Sequence, residues 1–398
     1  MLFINRFSKN RFIKRIFLQR SIIPKKHFGQ NFLKDSIILD KILQASSELY
    51  QSCLAKLENA PKASLDSSKA REMTQNGAKH SDEYPLEIPK SSSLHTSQNL
   101  QLQSLKLVEI GVGLGDLSIR LLGIAPLLSY EVDEALCSFV LQRFAKQSLA
   151  NHFDLIHADV LSLPFALALQ KYESKEKNKE SKADDTTKTD ISSTAKYEDT
   201  SAKIRKQLDE KNASQTSPKS SWLATSPYIL ISNLPYYIAT RIILIALKDP
   251  LCKGFVVMTQ KEVADKFCAS SGDSEFCALS VLAQSVGDIR LLFSVPKEAF
   301  EPMPKVTSSV FSLRKEQESF LGDFTKSSQR WLSFEKMLKH AFVSPRKKLL
   351  SNLARHYDKK QLEEIFATLD MPSHSRAHQV STQKYHHIFT KLERIHDE

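Results

Sequence analysis

The run Val108-Glu109-Ile110-Gly111-Val112-Gly113-Leu114-Gly115-Asp116 constrains the fold of this chain more than any other stretch. An apolar strand enters a glycine turn, and a helix opens directly after it. Glycines at such a turn let the backbone approach a ligand closely, and the first helical N–H groups are left to meet it. Twenty residues after Gly111, at the end of the next apolar strand (LLSYEVD), stands Glu131. A carboxylate there can accept hydrogen bonds from ribose hydroxyls. Strand, glycine turn, helix, strand and acid together describe the opening of an α/β sheet that holds a nucleoside cofactor. The turn alone would say less, since any loop that needs positive φ uses glycine.

Two details turn the cofactor from a nicotinamide dinucleotide toward S-adenosyl-L-methionine. The spacing is GxGxG rather than GxGxxG, and Glu109 precedes the first glycine by two positions. A third acid, Asp159 in HADVLSLPF, ends the following strand, where it can accept from the cofactor's adenine amine; it equally suits a helix N-cap. Strands at Leu105–Ile110, Leu127–Val132, Phe153–His157, Tyr228–Ser232 and Gly254–Thr259 alternate with helices at Asp116–Leu122, Glu134–Lys146, Ala239–Leu247 and Lys261–Phe267. Such alternation predicts a mainly parallel sheet covered on both faces. A further helix is expected at Cys277–Ser285. Extended runs at Asp288–Val295 and Val306–Arg314 would close the sheet as an antiparallel edge pair. Beyond about residue 317 the pattern is helical only, at Phe334–Ala341, Lys347–Arg355, Lys360–Leu369 and Thr382–His396. The fold expected is therefore a Rossmann-like α/β sheet of the class I methyltransferase kind over 27–316, followed by a small all-helical domain at 317–398.

The reacting group is read from Asn233-Leu234-Pro235-Tyr236, which follows the fourth strand. The exocyclic amine of adenine is a poor nucleophile because its lone pair is delocalised into the ring. Accepting hydrogen bonds from both N–H groups favours a tetrahedral nitrogen with that lone pair available. The Asn233 side-chain oxygen supplies one acceptor, and a backbone carbonyl at Leu234 or Pro235, held by proline's fixed φ, supplies the second. Tyr236 offers a flat face on which an extruded base can stack. Asn and Pro are also ordinary turn residues; what favours chemistry is their place one strand after the cofactor acids.

Two polar stretches interrupt the pattern, at about 45–104 and 170–226. The second mixes both charges densely with almost no large apolar residue, so it is expected to be disordered or a mobile surface insertion. The first holds one amphipathic stretch at Ser47–Leu57, beyond a helix predicted for Ser36–Gln44. Met1–Lys26 carries eight Lys or Arg residues and no acid. It reads as a basic arm that follows a phosphate backbone, although a mitochondrial transit peptide has the same composition. The net charge of +11 points to a polyanionic partner. No apolar run approaches the roughly 18 residues a membrane span needs, and five scattered cysteines without CxxC spacing imply a reducing compartment and no metal.

With HFGQNFL at His27–Leu33, VEIGVGLGDLS, ISNLPYYIAT, MTQKEVADKF at Met258–Phe267 and AFEPMPKVTSSV at Ala299–Val310, the chain resembles the bacterial small-subunit (16S) rRNA adenine dimethyltransferase family (KsgA). The likeness covers about His27–Gln44, Leu105–Phe165 and Tyr228 to the C-terminus. It implies that Asn31 and Leu33 close over S-adenosyl-L-methionine, with further contacts from Gly111, Glu131, Asp159 and Asn233. Phe300 would face Tyr236 across the target base, unless it is a core residue at the sheet edge. Arg346, Lys347 and Lys348 in FVSPRKKLLSNL would touch phosphates. The implied activity is dimethylation of two adjacent adenines in a hairpin near the 3′ end of small-subunit rRNA, by a cytoplasmic monomer acting on an immature small subunit. Departures from the family pattern are Phe276-Cys277 for the usual Tyr-Gly and Arg376-Ala377-His378 for Arg-Ala-Glu. Alternatives are a large-subunit rRNA adenine methylase, a mitochondrial rRNA dimethylase, or an RNA-binding transcription or assembly factor that has lost turnover. A DNA adenine methyltransferase would more often carry Asp-Pro-Pro-Tyr and a DNA-reading domain.

Overall fold

Alternating burial along the central strands decides the architecture. In Tyr228-Ile229-Leu230-Ile231 every side chain is buried, and successive ones enter two different apolar clusters, as a strand covered on both faces requires. The computed structural model describes residues 30–58, 105–170, 221–316 and 318–396. Its main sheet has seven strands: β1 (Lys106–Ile110), β2 (Leu127–Glu131), β3 (Phe153–His157), β4 (Tyr228–Asn233), β5 (Cys252–Gln260), β6 (Gly287–Val295) and β7 (Ser308–Lys315). The spatial order is β3-β2-β1-β4-β5-β7-β6. The first five are parallel, and β7 runs antiparallel to both neighbours. The last two strands close the sheet as an antiparallel edge pair, as expected, with β6 outermost. Val310, Phe311 and Leu313 of β7 are fully buried, whereas β6 leaves Leu291 exposed and takes the edge.

One face is covered by α1 (Ser36–Glu58), α2 (Ser118–Leu121) and α3 (Glu134–Arg143). Ile38, Leu39, Ile42, Leu49 and Cys53 of α1 recur at helical spacing and meet Leu107, Ile229 and Val256 of the sheet. The first polar stretch therefore does not begin at 45: α1 continues to Glu58, and Tyr50 Oη donates to the Leu105 carbonyl at 3.1 Å. Residues 59–104 of that expected insertion, like the basic arm at 1–26, lie outside the described residues.

The opposite face carries α4 (Ala239–Lys248), α5 (Lys261–Cys268) and α6 (Ala278–Gln284). Behind them come α7 (Phe324–Phe342), α8 (Leu349–Leu353), α9 (Lys359–Thr368) and α10 (Thr382–His396). Trp331, Phe334 and Leu338 of α7 join the same apolar cluster as Phe255, Phe267 and Phe311. Phe276, one of the two departures from the family pattern, is buried there and packs on Phe342 with ring centroids 6.2 Å apart. Among the described residues no helix is long and apolar enough to cross a membrane.

The second expected insertion ends earlier than 226. Trp222 and Leu223 are buried, and Asp249 accepts from Ser221 Oγ, the Trp222 N–H and Tyr228 Oη at 3.0, 3.0 and 2.5 Å. Trp222 Nε1 donates to the Val160 carbonyl and Tyr130 Oη to the Leu223 carbonyl. A buried carboxylate needs such partners, and they pin 221–223 beneath the sheet. The remainder, 171–220, lies outside the described residues.

Candidate active site

The strand order reverses between β1 and β4, so their carboxyl ends splay apart and leave a crevice, the usual ligand position in an open α/β sheet. A cavity of about 320 Å³ occupies that place. Gly111, Gly113 and Glu131 line it from one side, Asp159 from β3's end, Asn233 to Tyr237 from β4's end, and Asn31 with Leu33 from the N-terminal segment. The structure thus brings together every residue expected at the cofactor and reacting site except Phe300; Arg346, Lys347 and Lys348 lie elsewhere.

The glycine turn is held in the left-handed region, with φ +76° at Gly111, +56° at Gly113 and +82° at Gly115, where L side chains are strained. A Cβ at Gly111 would project toward Pro235 at 4.0 Å, filling the gap between the turn and the reactive motif. Glu131 is 5% exposed. Its carboxylate accepts from the Gly113 N–H at 3.1 Å and from those of Val132 and Asp133 at 2.9 and 3.0 Å. Burial pushes its pKa up, and the three backbone donors pull the other way. Two carboxylate oxygens offer about four acceptor sites, so capacity remains for a ligand hydroxyl. Asp159 caps the short helical turn Val160–Ser162, its Oδ1 accepting from the Leu161 N–H at 2.9 Å. The N-cap reading and the cavity position therefore hold together.

Glu109 lies beneath the turn, 2% exposed, with Ser118 Oγ donating at 2.6 Å and Ser129 Oγ at 3.2 Å. Burial pushes its carboxyl up to about 8, partly offset by the two serines. Among the described residues four carboxyl side chains (Glu109, Asp116, Glu131, Asp159) line the cavity and no Lys, Arg or His does. Glu109 keeps its proton, and the wall formed by the other acids complements a positively charged ligand rather than a pyrophosphate.

Asn233 Nδ2 donates to the Asn31 carbonyl at 3.3 Å. That bond turns the amide so that Oδ1 is the atom left to accept from a ligand. The turn after it is closed by the Leu234 N–H on the Met258 carbonyl and the Ile238 N–H on the Pro235 carbonyl, at 3.0 and 3.2 Å. The N-terminal segment is fastened at several points: Gln30 Nε2 donates to Asp133 at 3.0 Å, Phe32 lies against the Gly113 position, and Phe32–Leu33 pair antiparallel with Phe300–Glu301. Lys34 pairs with Glu301.

Phe300 does not line the cavity. It is 3% exposed and packs with Leu33, Val295 and Val310, because its pairing with Leu33 turns the side chain into the apolar layer. Tyr237, which carried no role in the sequence reading, does line the cavity. Sequence reasoning also passed over the Asn31 carbonyl, Gln30 and Ser308. All three lie inside quoted motifs, and only contacts distant in sequence distinguish them.

A sequence profile described as ribosomal RNA adenine dimethylase matches residues 92–394. The chain is similar to ribosomal RNA small subunit methyltransferase A of Helicobacter hepaticus, 36% identical over 379 residues, covering 94% of this chain and 93% of that protein. Its counterpart in Campylobacter hominis is 33% identical over 376 residues, covering 94% and 98%. A dimethyladenosine transferase from Plasmodium falciparum superposes with TM-score 0.50 at 19% identity, over 73% of this chain and 91% of that one. At that identity the likeness speaks for the fold, a Rossmann-like class I methyltransferase sheet with helices after it.

Proposed function

The chain belongs to the ribosomal RNA adenine dimethylase family, and on that premise we propose that it dimethylates two adjacent adenines near the 3′ end of small-subunit rRNA. The methyl donor proposed is S-adenosyl-L-methionine. The observation that carries this reading is a cavity that joins a carboxyl-lined cofactor wall to the Asn233–Tyr236 motif. The names of the Helicobacter hepaticus and Campylobacter hominis relatives support the small subunit over the large one.

The residues present fit the donor. The Gly111 cradle would be narrowed by any Cβ, Glu131 has acceptor capacity for a ribose hydroxyl, and Asp159 can accept from an adenine amine. Asn31 and Leu33 would cover it. When bound, S-adenosyl-L-methionine supplies an electrophilic methyl carbon on a good leaving group. The chain's own residues then do the rest. Asn233 Oδ1 accepts one N–H of the target amine, and the backbone carbonyl of Leu234 or Pro235 accepts the other. Both bonds draw the nitrogen toward a tetrahedral geometry. Tyr236 supports the extruded ring from one face. Positioning and fixed dipoles supply the acceleration, with no tuned general base; the proton displaced from nitrogen passes to water.

Arg346, Lys347 and Lys348 are exposed at the turn before α8 and are proposed to meet rRNA phosphates. The enzyme would act as a monomer in the cytoplasm, on an incompletely assembled small subunit. Purified protein incubated with labelled S-adenosyl-L-methionine and under-methylated small subunits should yield dimethyladenine in the 3′ hairpin. Absence of that product, alongside strong labelling of naked large-subunit rRNA, would overturn the substrate assignment.

A further inference from the structure

Tyr236 follows a proline in a short turn, half-buried, with its hydroxyl at the far end of the ring. A hydrogen bond from outside the motif fixes that end. Tyr236 Oη and Ser308 Oγ lie 2.6 Å apart. Ser308 is fully buried at the first residue of β7. There it is paired in register with Gln260, the last residue of β5, and with Val295, the last residue of β6. The preceding carbonyl, that of Thr307, accepts from the Lys261 N–H at 2.9 Å. Held between two strands, the serine backbone cannot drift, so its hydroxyl is a fixed point for the tyrosine.

A serine is an odd choice at such a place by packing alone. Val310, Phe311 and Leu313 on the same strand are apolar and fully buried, and burying a hydroxyl is unfavourable unless it is bonded. The phenol is the partner that satisfies it. The same strand also connects through residues 302–307 to Glu301, which pairs with Phe32 beside the cavity. The wall of the reacting site and the segment over the cofactor cavity thus hang on one stretch of chain.

We propose that Ser308 is a positioning residue that holds the Tyr236 ring as a preset stacking wall for the extruded adenine. This deepens the adenine-methylation reading and rests on it. Ser308 touches no reacting atom; it acts through the tyrosine. A preset wall matters because an extruded base otherwise waits for the ring to find its angle, and a neutral hydrogen bond of this kind is worth roughly a two- to tenfold effect.

The test is a double-substitution cycle in the full-length protein with Ser308→Ala, Tyr236→Phe and the pair together. Each single change should lower kcat/KM on under-methylated small subunits roughly two- to tenfold, and the pair should lose no more than either alone. Ser308→Thr, which keeps the hydroxyl, should restore most of the activity and guards against a Ser308→Ala protein that folds poorly. Binding of S-adenosyl-L-methionine, measured by calorimetry, should be unchanged in all four. A hairpin RNA with 2-aminopurine at the target position should show weaker fluorescence quenching with Ser308→Ala than with the parent protein. Losses that multiply in the double variant, or a fully active Ser308→Ala, would overturn the proposal. A readout independent of the reaction is the Tyr236 ring signal in NMR, identified by its loss in Tyr236→Phe. It should broaden or shift with Ser308→Ala. An unchanged ring signal refutes the latch whatever the substrate proves to be, and an inactive parent protein refutes the adenine reading while the ring signal still decides the latch.

Discussion

Replacing Glu109 by glutamine should remove a pH dependence of stability that the wild-type chain carries. The carboxyl is buried between Ser118 and Ser129, and loss of hydration raises it from its ordinary 4.5 to about 8. A carboxyl raised in the folded state favours folding only while it keeps its proton. Its contribution is fully present below about 4.5 and is lost progressively as pH climbs through about 8. Across that window the unfolded chain has released the proton and the folded chain has not, so stability falls by about 1.4 kcal/mol per pH unit. The whole window amounts to an effect on the order of 4–5 kcal/mol, large against a typical stability of about 5–15 kcal/mol. Glutamine keeps the shape and an acceptor oxygen for the serines but cannot ionise. Urea unfolding of both proteins between pH 5 and 9 should give a stability difference that grows in favour of Glu109→Gln up to about pH 8 and is level beyond it. Parallel stability curves for the two proteins across that range would refute the reasoning, because they would mean that Glu109 is already ionised in its buried position.

Asn233→Ala should lower methylation by about a hundredfold or more while RNA binding measured by filter retention stays within about twofold. Gly115→Ala combines a φ of +82° with a Cβ only 2.6 Å from the Phe144 ring; thermal melts should show a loss of about 2 kcal/mol or more. His386 stacks on Phe320 at 3.7 Å and bonds Ser285, and burial lowers its pKa to about 4. Its folded-state pKa is depressed, so its contribution is present above about 6.5 and is lost as pH falls toward 4. Wild-type melting temperature should drop over that range, and a His386→Phe protein should show a shallower drop even if it melts lower at pH 7.

The glycine turn was legible in the sequence because its requirement is local. Gly111, Gly113 and Gly115 all sit at positive φ, and a residue that must adopt such a backbone announces itself by type. The same holds for the strand periods, which assigned β1 to β5 correctly. Boundaries failed where polar composition stood in for structure. Ser46 is buried inside α1 because its hydroxyl donates to the Ile42 carbonyl, and Trp222 is buried because Asp249, 27 positions away, accepts from its backbone.

The residue types of the site were determined by the sequence itself: acids at the ends of β1 and β2 and just beyond β3, and an Asn-Leu-Pro-Tyr run that starts at the end of β4. Alternation says which face of a strand a side chain takes, and motif chemistry says what it can do there. Which groups meet across the sheet was decided only by the tertiary structure. Asn31 and Asn233 are 202 positions apart, and Tyr236 and Ser308 are 72 apart. Phe300 takes its place in the apolar layer through pairing with Leu33. Those meetings depend on strand order and register, which arise from packing the whole sheet at once and leave no periodic trace along the chain.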